Sequence, residues 1–196
     1  MEKRIILASQ SPRRKQLLEG LGLSFIVLSS EIDEQRIIEE MGTVSPSELV
    51  SRLSACKAEA VAEQQSSGLV IGADTIVLLE GAILGKPVDR QAAKEMLRSL
   101  SGKTHSVLSG VTVIDVDSEI TKTLCVETAV DFKKIDEGEL ERYLNKASYL
   151  DKAGAYAIQE HGALFVKEIR GCFFNVVGLP IFQTAELLKE FGVKIL

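Results

Sequence analysis

The chain has 196 residues, of which 45% are hydrophobic and 26% are charged, and its formal net charge is −5 at pH 7. This composition is typical of a globular protein with a real core, and we expect a single domain over residues 1–196. The acidic balance argues against nucleic-acid binding, which usually needs a basic excess. No signal peptide or membrane-spanning apolar run is recognisable, which predicts a soluble cytoplasmic protein without a membrane partner.

Apolar stretches and helical patterns alternate along the chain. The predicted strands are 5–8, 25–28, 69–79 with a break at 73–75, 107–116, 120–132, 164–169 and 174–177, and the predicted helices are 12–20, 46–65, 89–100, 136–146 and 181–191. Ser45 and Glu48 have the spacing of a capping box, and 107–132 has the pattern of a hairpin. The pattern predicts an α/β protein with a mixed sheet.

The turn between the first strand and the first helix is a candidate phosphate site. Ser9 lies in this turn, and Arg13 and Arg14 occupy the first turn of the helix, where acidic residues are more usual. A bound anion would relieve the repulsion between these arginines and the helix dipole. A solvated pair of surface arginines is the alternative interpretation.

Asp74 is the sharpest anomaly, since apolar strand residues precede and follow it. A buried carboxylate is costly unless it is paired, hydrogen-bonded or bound to metal, and Gly72 would allow a close approach to its strand. Lys57 lies between Val50 and Val61 on an apolar helix face, where it either snorkels or lies near an anion. Asp74 is the leading candidate for a catalytic carboxylate, and the alternative interpretation is a strand-end aspartate that accepts hydrogen bonds from backbone N–H groups.

Three further segments carry candidate residues. Glu34 closes an acidic loop that is either solvated or supplies oxygen ligands to Mg²⁺ or Mn²⁺. Lys86 lies in a Gly-Lys-Pro turn that does not match a Walker phosphate loop. Residues 151–159 combine small residues with one aromatic and the amide of Gln159, which suits a planar base or, alternatively, a packed loop.

The joint order and spacing of these segments resemble the Maf family of nucleotide pyrophosphatases over essentially the whole chain. The matching text is LASQSPRR at 7–14, Asp33-Glu34, Lys57-Ala58, IGADT at 71–75, GKP at 85–87, LSGKTH at 100–105, DKAGAYAIQ at 151–159 and NVVGLP at 175–180. The resemblance implies an elongated mixed sheet flanked by helices, with two lobes around a central cleft, similar to inosine triphosphate pyrophosphatase. It also implies cleavage of a nucleoside triphosphate between the α and β phosphates with a divalent metal.

The resemblance assigns roles to individual residues. Asp74 matches the family's catalytic base, and Ser9, Arg13, Arg14, Glu34, Lys57 and Lys86 match its phosphate- and metal-handling positions. Glu34 and Asp74 are the expected metal ligands. Arg13, Thr75 and Gln159 look similar to the branch that acts on dTTP and UTP. Glu160 and Ala157 stand where this branch usually has glycine, and Ser109 replaces a usual threonine.

Two functions from different classes compete. The first is hydrolysis of dTTP and UTP to the monophosphate and pyrophosphate, catalysed by Asp74 with Mg²⁺ or Mn²⁺. The second is a non-catalytic nucleotide sensor linked to cell division. A pure binder gains little from a buried carboxylate beside phosphates, so Asp74 favours the enzyme. The expected partner is the nucleotide, and the sequence leaves a homodimer open.

Overall fold

A computed structural model describes residues 3–195, and in this part of the chain seven strands alternate with seven α-helices and two short 3-10 helices. The strands are β1 Ile5–Ala8, β2 Phe25–Leu28, β3 Leu69–Leu79, β4 Ala82–Leu84, β5 Thr104–Asp115, β6 Ile120–Phe132 and β7 Val166–Arg170. The α-helices are α1 Pro12–Glu19, α2 Glu34–Met41, α3 Pro46–Ala62, α4 Arg90–Leu100, α5 Glu137–Lys146, α6 Phe173–Val177 and α7 Ile181–Glu190. The 3-10 helices are Ala153–Ala155 and His161–Phe165.

The strands form one mixed sheet in the order β2-β1-β3-β5-β6-β7, and β4 pairs with β3. β1 runs parallel to β2 and β3, whereas β3 with β4 and β6 with β7 are antiparallel. The predicted fold class, a mixed α/β sheet flanked by helices, is confirmed. Among the described helices, none is long and apolar enough to cross a membrane.

The chain is divided into two compact units. The first comprises the chain to Asp74, Ser109–Val126 and the segment from Gly178 onward. Its sheet is buried on both faces. Ile5 and Leu7 of β1 enter one apolar cluster, whereas Ile6 and Ala8 enter another, which includes Ala58 of α3. Side chains alternate between the two faces of a strand, so a continuous apolar run is what two covered faces require.

The contact between β3 and α3 is unusually close at Gly72. A Cβ atom on Gly72 would lie 2.2 Å from the carbonyl oxygen of Ser54 and 2.7 Å from the amide nitrogen of Ala58. Both atoms belong to backbone, so no side-chain rotation could make room. Asp74 follows two residues later on the same face of β3, where α3 carries Lys57.

The second unit comprises Thr75–Leu108 and Glu127–Val177. Ion pairs join α4 to α5, among them a bidentate pair in which Nε and Nη2 of Arg98 each lie 2.7 Å from an oxygen of Glu137. An aromatic cluster lies in the interior of this unit. Its members are His105, Phe132, Tyr143, Tyr156 and Phe165, with neighbouring ring centroids 4.8–6.0 Å apart.

Several local predictions are confirmed. The Ser45 side chain accepts from the Glu48 amide and the Glu48 side chain accepts from the Ser45 amide, which completes the capping box of α3. β5 and β6 are neighbours in the sheet and are joined by residues 116–119, as expected for a hairpin. α1 begins at residue 12, as predicted, and Ser11 occupies its N-cap position without a capping hydrogen bond from its side chain.

Three local predictions are wrong. β3 continues without interruption through 73–75, because the carboxylate of Asp74 is paired with Lys57 and does not disrupt the strand. Residues 174–177 belong to a helical turn, α6, because the amides of Asn175 and Val176 both donate to the carbonyl of Cys172. Periodicity cannot distinguish a strand from a helix in so short an apolar run.

The third error concerns Glu34, which lies in no acidic loop. It is the first residue of α2, and the side chain of Asp33 caps this helix by accepting from the Arg36 amide at 3.0 Å. The sequence carried the signal, since an aspartate directly before a helical pattern is a common N-cap. The helix fixes the backbone from which the Glu34 side chain projects.

Candidate active site

The ammonium group of Lys57 lies between two carboxylates in the first unit. Its Nζ atom is 2.6 Å from Oδ1 of Asp74 and 2.7 Å from Oε1 of Glu34. The side chains of Lys57 and Asp74 are only 11% and 10% exposed, whereas that of Glu34 is 47% exposed. The cation and the two carboxylates thus come from three different elements: Glu34 from α2, Lys57 from α3 and Asp74 from β3.

The position of Lys57 on the buried face of α3 explains why its ammonium group is paired with carboxylates. Neighbouring positions on α3, including Val50, Leu53 and Val61, are buried, so the lysine stem packs in an apolar surface. An ammonium held there needs a nearby carboxylate to offset the loss of water. The structure therefore favours the second interpretation of Lys57, as a residue held near an anion.

The turn after β1 lies in the same unit. Buried Ser9 accepts hydrogen bonds from the Ser11 amide at 3.3 Å and from Nη1 of Arg14 at 3.2 Å. Nε of Arg14 donates to the Gly178 carbonyl at 2.9 Å. These bonds orient the guanidinium of Arg14 at the beginning of α1.

Electrostatics connect this turn to the acidic pair. Burial lowers the pKa of Arg14 from its ordinary value, and repulsion from Arg13 lowers it further. Asp74 and Glu34 act in the opposite direction, which places both carboxylates within electrostatic range of the guanidinium. Five predicted residues, namely Ser9, Arg14, Glu34, Lys57 and Asp74, thus belong to one cluster, with Arg13 beside it on α1.

The remaining predicted residues belong to the second unit. Thr75 continues β3, Lys86 is exposed in the segment after β4, and Gln159 is exposed between the two 3-10 helices. The amide of Gly154 donates to the carbonyl of Gly85 at 3.1 Å. This bond joins the segment that leads to Gln159 to the turn that carries Lys86.

Sequence reasoning did not single out three residues in and around the segment 151–159. Tyr143 and His105 are buried against the segment 151–159, and the side chain of Lys152 is only 4% exposed. The Lys152 ammonium lies 2.8 Å from Asp151 and 3.7 Å from Glu160, so the unusual Glu160 has a counter-ion. Nothing in the sequence pattern distinguished Tyr143 from an ordinary core residue of α5.

Glu34 and Asp74 also suit the divalent metal that the family resemblance implies. Among residues 3–195, no group of three or more His, Cys, Asp or Glu side chains could hold a metal ion. Mg²⁺ commonly uses only one or two protein carboxylates, with phosphate and water as its other ligands. Glu34 and Asp74, whose carboxylate oxygens both lie next to the Lys57 ammonium, would supply these two protein ligands.

Comparison with known proteins identifies the family. A family model described as Maf-like protein matches residues 4–191. The chain belongs to the Maf family. Relatives of this Maf chain include a protein of Pelotomaculum thermopropionicum named dTTP/UTP pyrophosphatase, which is 46% identical over 99% of this chain and 100% of the relative. A Clostridioides difficile protein of the same name is 47% identical over 95% of this chain and 94% of the relative.

A solved structure supports the fold independently of sequence similarity. The Ham1 protein of Staphylococcus aureus superimposes on the Maf chain with a TM-score of 0.51, over 96% of this chain and 97% of that protein. The two sequences are only 16% identical, so the likeness concerns the fold alone.

Proposed function

We propose that this Maf protein hydrolyses dTTP and UTP to the nucleoside monophosphate and pyrophosphate, with Asp74 as the general base. The observation that carries the proposal is a buried carboxylate held among cations in the first unit. Both relatives described above carry the name dTTP/UTP pyrophosphatase and match nearly the full chain. A pure nucleotide sensor would need the cations but not the carboxylate.

The chemistry requires water to attack the α-phosphorus while pyrophosphate leaves. Asp74 takes the proton from this water. An ionised carboxylate offers about four acceptor positions. The hydrogen bond from Lys57 to Oδ1 therefore leaves Asp74 capacity to accept a further proton. Pairing with Lys57 also keeps the carboxylate oriented, which is what a general base needs before substrate arrives.

The cations stabilise the phosphates as charge moves toward the leaving group. Ser9 fixes the direction of Arg14, and Arg13 adds a second guanidinium at the beginning of α1. Helix N-termini and arginine forks both favour phosphate oxygens. Lys86 is assigned to the phosphates as well. Preorganised positive charge of this kind is usually the largest contribution to phosphoryl-transfer catalysis.

Glu34 and Asp74 would hold Mg²⁺ or Mn²⁺. When bound, the ion supplies Lewis-acid stabilisation of phosphate oxygens. Lys57 already neutralises part of the charge of these carboxylates. The protein's own contribution is thus a pair of carboxylates kept close together by one buried lysine.

Gln159 and Thr75 are assigned to the base. The amide of Gln159 has a donor and an acceptor, which match O4 and N3–H of uracil or thymine. Cytosine presents the reverse pattern, so an amide held in one orientation discriminates against it. The surrounding segment must prevent the amide from flipping.

The deciding experiment measures pyrophosphate release from purified protein with each common nucleoside triphosphate and with methylated GTP. We expect dTTP and UTP to be hydrolysed with the highest kcat/KM, and pyrophosphate to appear at a steady rate over many turnovers. Tight binding of dTTP without turnover would favour the sensor. A preference for GTP or its methylated form would refute the assignment of substrate.

A further inference from the structure

The segment between Lys152 and Gln159 makes an uncommon turn. Gly154 and Ala155 both adopt positive φ angles, 69° and 62°. Ala155 is not a glycine, and an L-residue in this region costs about 1 kcal/mol or more. A conformation of this kind persists only where surrounding contacts hold it.

The phenol of Tyr143 provides one such contact. Its hydroxyl donates to the carbonyl of Ala155 at 3.1 Å in a buried setting. Burial raises the pKa of Tyr143, and a hydrogen bond from the backbone of Ala157 counteracts part of that rise. One hydroxyl thus pairs with two backbone groups that lie on either side of Tyr156, just before Gln159.

Tyr156, which lies within this segment, provides a second contact through its own side chain. Its hydroxyl lies 2.8 Å from Nε2 of His105, and its ring packs edge-on against Phe132 at a centroid distance of 4.8 Å. Burial raises the pKa of Tyr156, so the phenol stays protonated. A neutral hydroxyl can serve either as donor or as acceptor to the imidazole.

From these contacts we infer that the hydroxyls of Tyr143 and Tyr156 are positioning groups that set base preference by fixing the segment that carries Gln159. The inference rests on the proposed function, since it assigns base reading to Gln159. Both hydroxyls act through backbone and ring contacts rather than by touching the base. Without them, residues 155–159 would sample several conformations, and the Gln159 amide could then pair with either pyrimidine pattern.

The test compares kcat/KM for dTTP with kcat/KM for CTP in Tyr143→Phe and Tyr156→Phe. Each change keeps the ring and removes one hydroxyl. A buried hydrogen bond contributes about 0.5–1.5 kcal/mol, so we expect the dTTP-to-CTP ratio to fall about two- to tenfold. A merely structural role would lower the active fraction for both substrates equally and leave the ratio unchanged. When either tyrosine change is combined with Gln159→Ala, the dTTP-to-CTP ratio should equal that of Gln159→Ala alone.

Tyr149→Phe is the matched control, because the Tyr149 phenol accepts a hydrogen bond from the guanidinium of Arg90 on α4. It should keep the wild-type ratio. A folded Tyr143→Phe or Tyr156→Phe protein with the wild-type ratio, or a further fall in the Gln159→Ala background, would overturn the inference.

Hydrogen exchange on the wild-type protein without nucleotide provides a second measurement that needs no variant. Slow exchange of the amides of 155–159 is expected, and exchange as fast as in an unstructured peptide would also overturn the inference. If wild-type protein shows no preference for dTTP over CTP, the proposed function fails first, before any variant is compared.

Discussion

Replacing Lys57 with methionine would remove the cation between Glu34 and Asp74 while keeping most of the stem that packs in α3. Removing one partner of a buried ion pair typically costs about 3–5 kcal/mol. Asp74 is 10% exposed and remains in place, whereas Glu34 is half-exposed and can turn toward water. We therefore expect the free energy of unfolding to fall by about 3 kcal/mol, at the lower end of that range.

A divalent cation should restore part of this loss, since it can replace the ammonium between the two carboxylates. At ten times its dissociation constant, a ligand that binds only the folded state contributes about 1.4 kcal/mol. Urea unfolding of wild-type and Lys57→Met protein, each in EDTA and in Mg²⁺, measures both effects. Mg²⁺ should stabilise the variant more than the wild type.

Lys94→Met is the matched control for this experiment. Lys94 also lies between two carboxylates, Glu137 and Glu141, but Arg98 and Arg90 pair with these residues as well. Mg²⁺ should therefore give Lys94→Met no advantage over wild type. Unchanged stability of Lys57→Met in EDTA, or equal protection of all three proteins by Mg²⁺, would refute the reasoning.

Three more outcomes are expected. Asp74→Asn should still bind dTTP but lose about 10²–10⁴-fold in kcat, and a variant with more than about half of wild-type activity would remove Asp74 from the role of base. EDTA should abolish pyrophosphate release while leaving the melting temperature nearly unchanged, and full activity in EDTA would contradict a metal requirement. Burial lowers the pKa of His105 from 6.5 to about 4, so the unfolded chain takes up a proton first as the pH falls. About 3 kcal/mol of stability present above pH 6.5 should be lost toward pH 4. Urea unfolding should show this loss reduced in His105→Asn but not in His161→Asn.

Much of the first unit could be predicted because its elements are specified locally. β1 and β2 have the predicted bounds, since each is a short apolar run limited by polar residues. The capping box at Ser45 and Glu48 likewise lies within four residues of sequence. Asp74 stood out because a charge inside an apolar run implies a partner, and Lys57 is that partner.

What the sequence could not predict depends on contacts between distant residues. The role of Tyr143 depends on a hydrogen bond to Ala155, and the pairing of Glu160 depends on where the buried Lys152 points. Neither relation leaves a pattern in the sequence. α6 was mistaken for a strand because its helical hydrogen bonds to Cys172 span only one turn.

Because Gly72 has no side chain, α3 can lie close to β3, and this close contact limits the substitutions that position 72 tolerates. A glycine inside a strand is ordinarily a weak point, and adding a methyl group would be a natural way to strengthen it. Here the methyl group would collide with backbone of α3 and push that helix outward. Lys57 would move with the helix, and a displacement of about 1 Å would stretch its 2.6 Å hydrogen bond to Asp74 beyond hydrogen-bond range. Position 72 thus couples the distance between β3 and α3 to the ion pair of Asp74, and a mutation that adds only one methyl group would change the candidate active site.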